Sequence, residues 1–175
     1  MKSSLIKIPN FFINPDKVRK KVLDLKYQQP TKHNNWHGIR ADLTYRVIGG
    51  VDLEQKIYEE ILNVMPDVTY FEMDIFFHIL PEYVRTHFKD SLFENSTKHY
   101  DNSFCTFAGV IYLTPNPPKN SGTSFFDDDG NKIEEAENIY NTMILYPANI
   151  LHGPTNPFGD TMENSRLTIT FFLKK

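Results

Sequence analysis

The chain has 175 residues, 40% of them hydrophobic, and its 19 lysines and arginines stand against 22 acids for a net charge of −3. That length suits one domain with a sizeable core, and that charge gives no general affinity for nucleic acid or an anionic membrane. The single Cys105 cannot form an internal disulfide and no N-terminal apolar run has signal-peptide or transmembrane length, so a cytoplasmic protein with no membrane partner is expected.

In chain order, Leu5–Ile8 reads as a short strand, and Asn14-Pro15 reads as the cap and first turn of a helix running to about Lys26, with Val18, Val22 and Leu25 on its apolar face. Residues 28–50 are polar and punctuated, which predicts a long loop with room for a short strand. Long loops in compact domains are often functional, so Trp36, His37 and Arg40 are candidates for a substrate rim; the alternative for Trp36 is a plug at a sheet edge. His33 and His37 stand four apart, a metal-binding spacing on a helix, but Asn34, Asn35 and Gly38 argue against a helix there.

A second amphipathic helix is expected over Asp52–Met65, capped by Asp52, with Leu53, Ile57, Ile61 and Val64 as its stripe and Pro66-Asp67 as its stop. Val68–Leu80 alternates and is the clearest strand, with Phe71, Met73, Ile75, Phe77 and Ile79 on one face. Its other face carries Glu72, Asp74 and His78. One strand is too straight to wrap three ligands round an ion, so that face is expected against solvent or a helix. Arg85, His87 and Lys89 follow in a strand-like pattern, and a loop then leads to Lys98. Thr106–Leu113 reads as a buried strand, Pro115–Ser121 as a turn, Asp127–Gly130 as a β-turn, residues 131–140 as an acidic loop, and Pro154–Glu163 as another loop. The 14 Phe and 9 Tyr suit a β-rich core with aromatic walls.

Chemistry gathers between His99 and Arg166. His99 and Asp101 are two apart and point the same way if the segment is extended. His152 ends the apolar run MILYPANILH, whose Pro147 suggests a kink or bulge. Arg166-Leu167-Thr168-Ile169-Thr170 alternates, placing Arg166, Thr168 and Thr170 on one strand face. Two histidines and one carboxylate are the ligands of a facial Fe(II) site, which leaves the opposite positions open. His87-x-Lys89 lacks the carboxylate.

The ordered set His99-x-Asp101, His152, Arg166 resembles the 2-oxoglutarate- and Fe(II)-dependent oxygenases, in particular their prolyl-hydroxylase-like branch, and is similar to small oxygenase-like proteins of phage and bacterial genomes. Val110-Ile111-Tyr112-Leu113 resembles that branch's "xxYLN" strand, Gly122-Thr123-Ser124-Phe125 its "GGxTxF" strand entry, and Leu145-Tyr146-Pro147 the "lFP" before its distal histidine. The likeness covers roughly the C-terminal half in detail. It departs from the pattern in having one glycine before Thr123 and Thr114 in place of asparagine.

The resemblance implies a mainly β fold with N-terminal helices: a double-stranded β-helix, or cupin-like jelly-roll barrel, in a single domain spanning residues 1–175. Residues 1–66 would be helical brace and rim, and 67–175 the barrel core. It further implies Fe(II) held by His99, Asp101 and His152, and 2-oxoglutarate as cosubstrate with its far carboxylate on Arg166, supported by Tyr112 and Thr168. With O₂ as oxidant, such a site hydroxylates a substrate and releases succinate and CO₂. The alternative is a jelly-roll binding or structural module with a vestigial or different metal. Arg166 discriminates, because such a module has no need of an arginine in its cavity. A peptide or protein side chain, or a small molecule, is expected as substrate rather than nucleic acid, because the rim segments 127–137 and 158–163 carry eight acids with Lys132 as the only base.

Overall fold

The computed structural model describes residues 5–30, 37–43, 46–70, 72–84 and 97–175. The expected strand around Arg85–Lys89, and Trp36 and His33, lie outside the described residues.

The first elements are β1 (Ile6–Ile8) and α1 (Pro15–Leu23). Asn14 caps α1, its side chain accepting from the Lys17 amide at 3.1 Å, and Val18 and Val22 are its buried stripe. The helix stops short of Lys26, and Tyr27 Oη donates to the carbonyl of Val22 at 3.1 Å near its end. Next come β2 (Ile39–Asp42), β3 (Val47–Ile48), β4 (Val51–Asp52) and α2 (Leu53–Val64). The stretch expected to be mostly loop thus holds strands. Asp52 caps α2 through the Gln55 amide at 3.2 Å, and Leu53, Ile57 and Ile61 are buried. Val64 does not join that stripe; it is the last residue of the helix and 42% exposed.

The remaining strands are β5 (Glu72–Leu80), β6 (Cys105–Tyr112), β7 (Thr123–Phe126), β8 (Lys132–Ala136), β9 (Thr142–Pro147), β10 (Leu151–Pro154) and β11 (Arg166–Lys174). Two of these correct the sequence reading. β8 replaces an expected acidic loop, because Glu134 and Glu135 pair in register with Phe125 and Ser124 of β7. The run MILYPANILH is two strands in two sheets, divided by a turn in which the Ile150 amide donates to the Pro147 carbonyl at 3.2 Å.

Among the described residues all pairing is antiparallel. Six strands form one sheet in the order β1-β9-β6-β11-β5-β2, three form a second in the order β10-β7-β8, and β3-β4 is a small hairpin. Both edges of the large sheet, β1 and β2, therefore come from the N-terminal third of the chain. One face of that sheet presents Ile75, Phe77, Ile111, Met143, Ile169 and Phe171 to α1 and α2 in a single apolar cluster. Its opposite face meets the small sheet through Ala108, Val110, Tyr112, Ile144 and Tyr146, packed with Phe125 and Ala136. This two-sheet antiparallel arrangement, with helices outside the larger sheet, is the double-stranded β-helix that the sequence led us to expect. No described helix is long and apolar enough to cross a membrane.

Candidate active site

Backbone pairing brings the three candidate ligands together. His99 and His152 form an isolated antiparallel bridge, exchanging amide-to-carbonyl bonds of 2.9 and 3.0 Å, and the Asp101 amide donates to the Ala148 carbonyl at 3.1 Å. Gly153 permits this approach: a Cβ there would sit 2.8 Å from the carbonyl oxygen of Thr97, the residue two before His99. One donor atom from each of His99, Asp101 and His152 lies within 4.8 Å of the others. Asp101 Oδ1 is 3.8 Å from His99 Nε2, and its Oδ2 is 3.7 Å from His152 Nε2.

The hydrogen bonding fits a metal. Nδ1 of His99 lies 2.7 Å from the Thr97 carbonyl and Nδ1 of His152 lies 2.9 Å from the Ile150 carbonyl, so each ring donates from Nδ1 and keeps an Nε2 lone pair for coordination. The Asp101 side chain is only 4% exposed, and its Oδ2 has no hydrogen-bond partner. Burial pushes that carboxyl up to about 7 and the His152 imidazole down to about 3, so both sites favour the uncharged form while no cation sits between them. A carboxylate sealed from water beside two imidazole lone pairs is costly by itself and satisfied by a divalent ion. The His152 ring is fixed by Tyr146 at 4.7 Å and Phe125 at 6.3 Å between centroids.

These residues border a cavity of about 820 Å³ between the two sheets. Arg166, at the start of β11, also lines it, with Nε donating to the Ser121 carbonyl at 3.1 Å and Nη2 to the Gly122 carbonyl at 3.2 Å. Gly122 cannot be larger, because a Cβ there would lie 1.8 Å from the Ala136 carbonyl oxygen. Thr168 follows on the same face, fully buried, with an unpartnered Oγ1. Tyr112 does not line the cavity. Its hydroxyl lies 2.8 Å from Thr123 Oγ1, and it is Thr123 that faces the cavity, 3.5 Å from Arg166 Nη2. Thr114, where the resembled motif has asparagine, ties β11 down: its hydroxyl donates to the Ser165 carbonyl and accepts from the Leu167 amide, both at 2.8 Å.

Arg40 and His37 line the same cavity, as do Glu72, Asp74, Phe76 and His78. The polar face of β5 thus faces this cavity instead of solvent or a helix. Sequence reasoning missed His78, Thr123 and Tyr146 as cavity residues. The alternation of β5 contained His78, but period-two patterning separates two faces without saying what the polar one meets. The acids of segments 127–137 and 158–163, expected at the rim, do not line the cavity; the Asp127–Gly130 turn instead closes the β7–β8 hairpin.

A scan against protein-family models finds no match to this sequence, and neither does a comparison with curated proteins. Solved structures do match. A Pseudomonas putida prolyl-4-hydroxylase aligns with a TM-score of 0.68 at 12% identity, over 99% of this chain and 94% of that one. A Trichoplax adhaerens prolyl hydroxylase, solved with a peptide fragment of the hypoxia inducible factor oxygen degradation domain, aligns at 0.69 and 13% identity over 99% and 84%. HygX of Streptomyces hygroscopicus, solved with nickel, 2-oxoglutarate and hygromycin B, aligns at 0.61 and 13% identity over 98% and 83%. The chain has the fold of the prolyl-hydroxylase-like 2-oxoglutarate oxygenases.

Proposed function

We propose that this chain, acting as one domain, is a 2-oxoglutarate- and Fe(II)-dependent dioxygenase. In the reaction, substrate C–H, 2-oxoglutarate and O₂ give substrate C–OH, succinate and CO₂. The observation that carries this reading is the buried, unpartnered carboxylate oxygen of Asp101 facing two histidines whose other nitrogens are engaged by backbone carbonyls. The fold shared with prolyl hydroxylases and with HygX supports it.

His99, Asp101 and His152 would hold the iron through Nε2, a carboxylate oxygen and Nε2, and bound there Fe(II) supplies the activation of O₂. The chain's own residues do the rest. Thr97 and Ile150 carbonyls hold the imidazoles in one tautomer and one orientation. Asp101 contributes the negative charge that the cation offsets. Arg166, fixed by two carbonyls and Thr123, offers its guanidinium to the far carboxylate of 2-oxoglutarate, and Thr168 and Thr123 add hydroxyls. Tyr112 acts behind Thr123 as a positioning residue. Tyr146 and Phe125 pack on His152 and keep water from its ring. The substrate is a small molecule or a peptide side chain.

Anaerobic addition of Fe(II) and 2-oxoglutarate tests this proposal. A visible charge-transfer band is expected only when both are present. Its absence, or its appearance with iron alone, contradicts the reading.

A further inference from the structure

Of the three candidate ligands, His99 has the least packed around it. Its side chain is 54% exposed, against 6% for His152 and 4% for Asp101. His152 sits inside β10, which pairs along its length with β7. His99 lies outside the named strands, and its backbone meets the small sheet through the two bonds of the bridge to His152, with one more from Asp101 to Ala148. Its ring leans on His152 at 4.5 Å between centroids and takes its direction from the Thr97 carbonyl, 2.7 Å from Nδ1. Whatever holds the Thr97–Lys98 peptide in place therefore also holds the His99 imidazole.

Lys98 is placed to do this. His99 and Asp101 line the cavity and Lys98 does not; it turns to the outside of the small sheet. There its Nζ donates to the Gly130 carbonyl at 3.1 Å and lies 4.3 Å from the centroid of the Phe126 ring. Phe126 belongs to β7 and pairs with Leu151 of β10, so the lysine crosses β10 and ties the His99 segment to the β7–β8 turn. That turn is a firm anchor. The Asp127 amide donates to the Asn131 carbonyl at 2.9 Å, the Gly130 amide to the Asp127 carbonyl at 3.0 Å, and the Asn131 amide to the Asp127 carboxylate at 2.7 Å. Tyr100 reaches the same turn from the other side of His99. Its hydroxyl is 3.4 Å from Asp128 Oδ1, at the limit for a hydrogen bond, and its side chain is exposed, so Lys98 is the stronger tie.

We propose that Lys98 is a positioning residue for the metal: by anchoring the His99 segment to the β7–β8 turn it fixes the Thr97 carbonyl, and through that carbonyl the Nε2 lone pair of His99. Lys98 itself touches neither metal nor cosubstrate. The inference rests on the metal part of the dioxygenase reading and is independent of 2-oxoglutarate. Groups that orient a ligand govern metal affinity by about ten- to a hundredfold. Charge alone gives the opposite sign, because an ammonium near the site repels a divalent cation and its removal would tighten binding.

Co(II) titrated into the metal-free protein tests this, read by calorimetry for affinity and by visible absorption for the geometry of the ligands. Lys98→Met keeps an unbranched stem on Phe126 and removes the donor. It is expected to weaken Co(II) binding roughly tenfold and to alter the Co(II) spectrum, while the metal-free variant still unfolds in one transition. Lys98→Arg, which can donate to the same carbonyl, is expected to recover most of the affinity. In a His99→Ala background, Lys98→Met is expected to cost nothing further, because the residue it acts through is gone. Unchanged or tighter Co(II) binding by Lys98→Met overturns the proposal, and a lowered Tm with unchanged affinity does so by leaving Lys98 a structural role alone. A loss that Lys98→Arg does not recover, or that persists in full without His99, also overturns it. If the wild type binds no Co(II), or binds it equally well after His152→Ala, the metal reading itself fails and takes this inference with it. A wild type that binds at these residues while Lys98→Met changes nothing sinks the inference alone.

Discussion

Arg166 is the residue whose surroundings most restrict its role. It is 6% exposed, and the Ser121 and Gly122 carbonyls hold it against the cavity wall. A buried guanidinium that pairs with a ligand carboxylate contributes about 1.5–3 kcal/mol, so Arg166→Ala should weaken 2-oxoglutarate binding roughly ten- to a hundredfold while leaving metal affinity unchanged. Calorimetry of each ligand separately checks this, and equal loss of both would make Arg166 a folding residue. His78 makes a second prediction, on pH. Burial first, and then Arg40 and Arg166, lower its imidazole to about 3. The unfolded chain takes up that proton near pH 6.5, so between the two values the unfolded state holds more protons, and stability present above about pH 6.5 is lost as pH falls toward 3. In metal-free protein, His78→Asn should flatten the acid limb of a plot of Tm against pH. An unchanged slope would assign the acid sensitivity elsewhere, His152 included.

At the scale of elements, the loop before β9 clamps the N-terminal segment to the barrel. The Asn141 side chain accepts from the Phe12 amide at 2.8 Å and donates to the Phe12 carbonyl at 2.9 Å, and its backbone carbonyl accepts from the Phe11 amide at 2.9 Å. Its φ of +59° is one that glycine also adopts, so Asn141→Gly removes the side-chain bonds without adding strain. Two buried backbone groups lose their partners, and a loss of about 2–4 kcal/mol in urea unfolding is expected. A change under about 0.5 kcal/mol would mean that water replaces the amide. Elements also mark where the sequence was legible. β5 and β11 alternate because one face meets the helices and the other a cavity, and their core sides, Phe77 and Ile169 among them, were readable from period two. The cap residues Asn14 and Asp52 were readable because their side chains have a local task. β8 was not, since the strand KIEEA owes its conformation to β7 beside it and not to its own propensity. Nor was the division of MILYPANILH between two sheets, which only long-range pairing decides.

For the whole molecule, the chain's ends are joined through its centre. β1 pairs with β9, β9 with β6, and β6 with β11, so strands from both ends of the chain lie in one sheet. Such a topology unfolds as a unit, and a ligand that binds only the folded form raises its stability by about 2.7 kcal/mol at a hundred times its dissociation constant. For a chain of this size that corresponds to a rise in Tm of about 5–10 °C for each of metal and 2-oxoglutarate. A single transition that does not move with either ligand would leave the cavity without its proposed occupants. The motif His99-x-Asp101 was visible in the sequence, but its closure on His152 depends on the backbone bridge between the two histidines and on Gly153, which are properties of the assembled barrel.

On the proposed function, one metal and one 2-oxoglutarate share this cavity in fixed places. A crystal structure grown without oxygen, with Fe(II) and 2-oxoglutarate, tests it most directly. A single ion is expected about 2.0–2.2 Å from His99 Nε2, His152 Nε2 and an Asp101 carboxylate oxygen, with the far carboxylate of 2-oxoglutarate on Arg166. An ion bound elsewhere, or 2-oxoglutarate seated on Arg40 with Arg166 left to its carbonyls, would contradict it.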